Sequence, residues 1–141
     1  MKPKPGAICL IPFSLLLLQA CTAAYDFRDA DRPVHEQTVS VADISALQNA
    51  GATVLDVRLL EDFEAEPVLI PGARYANPDN IEQWAAAMTP RDGPLVVYCV
   101  RGKWVSQKAA RYLQNRGFEV YSLEGGIKAW QDEGRPLARP D

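Results

Sequence analysis

The chain has 141 residues, 48% hydrophobic and 23% charged, which suits one domain with an ordinary soluble core and is too short for two. Its net charge of −3 gives no basic footprint for nucleic acid, so none is expected as a partner. No internal repeat and no block of like charge appears.

Residues 1–20 differ in kind from the rest. Lys2 and Lys4 precede an uncharged apolar stretch over residues 6–20, the pattern of a secretory signal peptide. About 15 residues fall short of the ~20 that span a bilayer. Pro12 weakens a spanning helix further, so a retained anchor helix is the lesser reading. Leu18-Gln19-Ala20-Cys21 resembles a bacterial lipobox. The resemblance implies cleavage before Cys21, its acylation, and a periplasmic protein held on the envelope membrane by more than one lipid chain. Thr22 after the cysteine inclines the sorting towards the outer membrane. A competing cut after Thr22-Ala23-Ala24 fits ordinary signal peptidase. Loss of Lys2 and Lys4 leaves thirteen basic residues against eighteen acidic ones, a net charge of −5.

Residues 21–37 read as a polar tether, with Asp26, Arg28, Asp29, Asp31, Arg32 and Pro33. The single histidine, His35, lies there as a solvated side chain. The body, residues 38–138, therefore has no histidine for a Cys–His or Ser–His–Asp arrangement. No metal site and no cofactor site is indicated.

In the body, Ser40 and Asp43 form a capping-box-like start to a helix that buries Val41, Ile44 and Leu47 and stops at Gly51. Residues 53–57 are a short apolar strand, residues 61–66 a weak helical turn, and residues 73–76 another strand. Pro78 opens a helix with Ile81, Trp84, Ala85 and Met88 at helical spacing. Asp92-Gly93-Pro94 breaks the chain before the apolar strand 95–99. A helix over residues 106–116 buries Ala109, Ala110 and Leu113 and stops at Gly117. A last strand, residues 119–123, and a last helix, residues 127–132, complete the pattern. Alternation of strands and helices, with one strand apolar throughout, argues a parallel sheet covered on both faces. Trp84 and Trp130, at helical spacing, belong to the core.

Of the three cysteines, Cys9 lies in the signal, Cys21 at its end and Cys99 alone in the body, so no disulfide forms there. Cys99 ends a strand, and the loop after it leads into a helix. In parallel α/β sheets that edge binds ligands. Backbone amides of the loop, the helix dipole, Arg101 and Lys103 all favour an anion there, including a thiolate, which is the nucleophilic form of cysteine. Attack on a sulfur or phosphorus centre fits this setting.

Val54-Leu55-Asp56-Val57-Arg58, Ile70-Pro71-Gly72-Ala73, Val97-Tyr98-Cys99 with its loop, and Leu123-Glu124-Gly125-Gly126-Ile127-Lys128-Ala129-Trp130 together resemble the successive signatures of the rhodanese domain. The resemblance implies an α/β three-layer sandwich with a mostly parallel five-stranded sheet, and sulfane-sulfur transfer as the chemistry. Cys99 would attack a small sulfur-containing anion such as thiosulfate, hold the sulfur as a persulfide, and pass it to cyanide or a thiol. Amides of Val100, Arg101, Gly102, Lys103, Trp104 and Val105 would cradle that sulfur. Arg101 and Lys103 would attract the donor, Trp104 would wall the pocket or, as an exposed indole, contact a partner, and Asp56 and Arg58 would brace the loop rather than bind substrate.

Two departures from the family pattern stand out. Leu69 occupies a position where many members have histidine. Seven residues, Cys99 to Val105, precede Ser106, one more than the commonest form. Phosphatase and arsenate-reductase relatives have such longer loops but end them in an arginine that grips the oxyanion in bidentate fashion; Val105 stands there. Phosphoryl chemistry is thereby disfavoured, and a non-catalytic envelope binding module is the other alternative to a sulfurtransferase.

Overall fold

The computed structural model describes residues 37–140. The signal segment, the lipobox with Cys21, His35 and all of the tether but Gln37 lie outside the described residues. No helix among the described residues is long and apolar enough to cross a membrane.

In chain order the elements are β1 (Thr38–Val39), α1 (Ile44–Asn49) after a 3-10 turn at Val41–Asp43, β2 (Thr53–Asp56), α2 (Leu60–Ala65) and β3 (Arg74–Tyr75). There follow α3 (Ile81–Ala86) after a 3-10 turn at Pro78–Asn80, β4 (Leu95–Tyr98), α4 (Trp104–Gln114), β5 (Val120–Leu123) and α5 (Gly126–Asp132). The five strands lie in the order β1-β5-β4-β2-β3, and each neighbouring pair is parallel. The expected three-layer sandwich is present, with a sheet that is wholly rather than mostly parallel.

Central β4 is buried throughout, and its alternation divides the core. Leu95, Val97 and Cys99 pack towards α3 and α4 with Leu55, Ala85, Ala109 and Leu113. Val96 and Tyr98 pack towards α1 and α5 with Ile44, Leu123, Ile127 and Trp130. A strand covered on both faces reads as an unbroken apolar run for this reason. The indole N–H of Trp130 donates to the Pro136 carbonyl at 2.7 Å and that of Trp84 to Asn77 at 2.8 Å, so both rings are anchored as structural side chains.

The ends of the elements show where local chemistry acts. The Asp43 carboxylate accepts from the Ser40 amide at 3.0 Å and its hydroxyl at 2.6 Å, as the capping pattern implied. Asn77 caps the turn at Pro78 by accepting from the Asp79 amide at 2.9 Å. Leu69 is buried and exchanges two 2.8 Å backbone hydrogen bonds with Ala138, which clasps the C-terminal segment to the domain.

Two elements differ from the sequence expectation. The sequence carries no pattern for β1. It is two residues long and is held by backbone pairing, with the Ser122 and Glu124 amides donating to Gln37 and Val39 at 2.9 Å. Helix α4 begins at Trp104 rather than Ser106, so Trp104 and Val105 lie in its first turn and only residues 99–103 form the loop.

Candidate active site

β4 delivers Cys99 to the carboxyl edge of the sheet, at the entry to α4. Cys99 is buried, 5% exposed, and its thiol faces the first turn of that helix. Sγ lies 3.4 Å from Ser106 Oγ. The Ser106 hydroxyl also donates to the Lys103 carbonyl at 3.2 Å and accepts from Ser122 Oγ at 3.1 Å. Both serines are fully buried. Sulfur, two hydroxyls and a loop carbonyl thus form one polar cluster inside an apolar layer, where unsatisfied groups are costly.

The N-terminus of α4 carries no side-chain cap, and its first backbone bond runs from the Gln107 amide to the Lys103 carbonyl at 3.1 Å. Amides of residues 100–106 donate to no acceptor among the described residues. Such a run of unpaired N–H groups at a helix start is a site for an anion. Arg101 and Lys103 are exposed at the rim. No carboxylate pairs with either among the described residues. Trp104 is half-buried against the core layer of α3 and α4, with Lys108 Nζ 5.7 Å from its ring centre. Val105 is buried in that layer, and Val100 is half-buried.

The loop is held from the opposite side by the first turn of α5. Ile127 and Lys128 donate backbone hydrogen bonds at 3.0 Å to the carbonyls of Cys99 and Val100. This approach requires glycine. Gly126 has φ +62°, and a Cβ there would stand 2.3 Å from the Cys99 oxygen and 2.6 Å from the Gly102 nitrogen. Gly102, at φ +63°, would in turn place a Cβ 2.4 Å from the Leu123 oxygen. Only glycine combines that conformation with backbone contact on all sides.

Asp56 and Arg58 are brought together, 0% and 1% exposed. The guanidinium binds the carboxylate through Nε at 2.9 Å and Nη2 at 2.6 Å, and donates to the Glu66 and Val68 carbonyls at 3.1 and 2.7 Å. The pair therefore braces the 66–68 segment and has no hydrogen bond to residues 100–105. Tyr98, the residue before Cys99, links it to the start of the loop. The Tyr98 hydroxyl interacts with the Asp56 carboxylate and accepts from the Ile70 amide at 3.2 Å. Burial pushes the Asp56 carboxyl up, while Arg58 pulls against it. Burial also opposes the Arg58 charge, but the carboxylate more than offsets that and keeps the guanidinium protonated.

Both tyrosines beside this pair hold their protons tightly. Burial, and then the Asp56 charge, raise Tyr75 from 10.0 to about 12 and raise Tyr98 as well. A phenol whose folded value is raised adds stability that is intact below its unfolded value of 10.0 and is lost as pH climbs through the folded one. Urea midpoints are therefore expected to fall from about pH 8 to about pH 11, and the fall is shallower in Tyr75→Phe. An unchanged slope in that variant contradicts the assignment.

Three groups in this site escaped the sequence reading. In the sequence Ser106 reads only as a helix start. Ser122 carried no signal, because nothing in the sequence sets it beside Ser106. The Gly125-Gly126 pair drew notice only as part of a family signature, although two glycines ahead of a helix are a legible sign of close backbone approach.

The rhodanese-like domain family matches residues 40–133. A thiosulfate sulfurtransferase GlpE from Stutzerimonas stutzeri is 41% identical over 87 residues, covering 61% of this chain and 76% of that protein. A rhodanese-related protein from Thermoplasma volcanium superposes with a TM-score of 0.61 at 26% identity, covering 72% of this chain and 96% of that one. A Rhodopseudomonas palustris protein of unknown function, described as a possible tyrosine phosphatase, gives 0.60 at 29% identity, covering 72% of this chain and 84% of that one. The family match covers well over half of the chain, and the chain belongs to the rhodanese-like domain family.

Proposed function

We propose that the protein is a thiosulfate sulfurtransferase-like enzyme that carries sulfur on Cys99. The observation that carries this reading is the meeting of Sγ with the uncapped start of α4. The Cys99 thiolate attacks the outer sulfur of thiosulfate, a new S–S bond forms, and sulfite leaves with the electron pair of the bond that breaks. Cyanide or a thiolate then attacks the outer sulfur of the persulfide, and the Cys99 thiolate is restored. Unpaired amides of residues 100–106 hold the negative charge of the persulfide, and Arg101 and Lys103 draw in the dianion. The Stutzerimonas stutzeri relative, named a thiosulfate sulfurtransferase, supports the same chemistry.

A phosphatase reading draws on the Rhodopseudomonas palustris neighbour. Against it, Val105, in the first turn of α4 where such relatives carry their arginine, is apolar and buried in the core, so no fork of donors stands there for a phosphoryl group.

Intact-protein mass after thiosulfate treatment tests the reading. Wild type should gain one sulfur atom, and Cys99→Ala none. Sulfur gained equally by the variant, or by neither protein, rejects it. Export and acylation at Cys21 are part of the same proposal, supported by the pattern of residues 1–21. The mass of the membrane-extracted protein reads the lipid directly, and an unmodified Cys21 refutes the anchoring.

A further inference from the structure

We propose that the exposed face of α4, with the loop before it, is a docking surface for an acidic protein that presents a thiol to the Cys99 persulfide. The proposal rests on the sulfurtransferase reading and names the acceptor class for that site. Between Asp92 and Glu119 the chain has five cations, Arg101, Lys103, Lys108, Arg111 and Arg116, and no acidic residue, although its net charge is −3. Trp104, Lys108 and Arg111 follow the i, i+4, i+7 spacing of one helix face. Opposite them, Val105, Ala109, Tyr112 and Leu113 are buried. Arg101, Lys103 and Arg111 are exposed, and Lys108 is half-exposed over the Trp104 ring.

Helix stability accounts for Arg111, a cation in the last turn of α4, but not for Lys103 and Lys108. Lys103 is the N-cap residue, at the end where the macrodipole disfavours a cation, and Lys108, mid-helix, gains nothing from it. Nor does a small dianion account for the placement. Each helical residue adds about 1.5 Å, so Arg111 stands about 10 Å along the axis from Trp104, beyond anything that also touches the loop as a thiosulfate would. The charge continues past the mouth of the site, as it should if the ligand is a protein surface. The half-buried Trp104 indole supplies an apolar centre within the cationic rim, the usual anatomy of a transient interface.

The test uses two labelled peptides in which a serine replaces the reactive cysteine, one flanked by glutamates and one by glutamines, with binding to the unloaded full chain followed by anisotropy. This readout needs no sulfur chemistry, so it stands or falls separately from the sulfurtransferase reading. The glutamate peptide should bind about tenfold more tightly at low salt, with the preference fading as salt rises. Lys108→Glu should cancel the preference, and Lys108→Glu/Arg111→Glu should reverse it. Thiosulfate–cyanide turnover in both variants should stay within about twofold of wild type, because neither residue belongs to the loop. Equal binding of the two peptides overturns the proposal. So does a Lys108-dependent attachment to phosphatidylglycerol vesicles without any peptide preference, which would assign the face to lipid.

Discussion

Replacing Asp56 by alanine is expected to destabilise the domain by about 3–5 kcal/mol, the cost of leaving a buried ion without its counter-ion. Arg58 is 1% exposed and takes its bidentate carboxylate contact from Asp56 alone. Without it the guanidinium keeps two carbonyl acceptors, at Glu66 and Val68, and an uncompensated charge. Tyr98 also loses its carboxylate neighbour. Asp56→Asn should recover part of the loss, because it keeps an oxygen acceptor for Arg58 but not the charge. Urea unfolding of the three proteins measures the order wild type, Asn, Ala. Sulfur loading by the folded fraction should survive in all of them, since the pair has no hydrogen bond to residues 100–105. A variant that is stable yet unable to load sulfur would instead assign Asp56 to the reaction.

Gly126→Ala should abolish most sulfur loading while Gly134→Ala leaves it near wild type. The two glycines have nearly the same backbone, φ +62° and +66°, so each alanine bears a similar left-handed penalty of about 1–2 kcal/mol. Their surroundings differ. A Cβ at Gly134 meets nothing within 4 Å, whereas at Gly126 it meets three backbone atoms of the loop at 2.3–2.7 Å. Those atoms cannot rotate away as a side chain would, so the loop must move off α5 or α5 off the sheet. Misplacement by about 1 Å is enough to cost ~10²-fold in rate. Persulfide formation by mass, beside urea midpoints for both variants, separates the shared penalty from the clash. Equal loading by the two variants would mean that the α5 contact does not position the loop.

How much of this was legible depended on whether a feature is local. β4 announced itself because burial on both faces leaves no polar position, and β2 because three of its four residues are buried. The Asp56–Arg58 pair was visible as a motif, but its target was not, since the accepting carbonyls at Glu66 and Val68 lie in an irregular segment without a pattern. Ser106 misled the reading for a physical reason. Serine is a favoured N-cap, yet its hydroxyl turns inward to Cys99 and Lys103, and the helix starts two residues earlier without any cap. The cations of 101–116 looked dispersed because they are two to five residues apart. Only the helical turn aligns them. The Ser106–Ser122 contact joins two elements sixteen residues apart, which no periodicity encodes.

The place of β1 has a kinetic corollary. Thr38–Val39 finds its neighbour only in Ser122–Leu123, so the first strand of the domain waits for the last. Closing that pairing means looping in most of the domain, the kind of distant contact that slows folding. As the chain lengthens from its N-terminus, no partial product can finish the sheet, and the nascent domain stays open until β5 has been made.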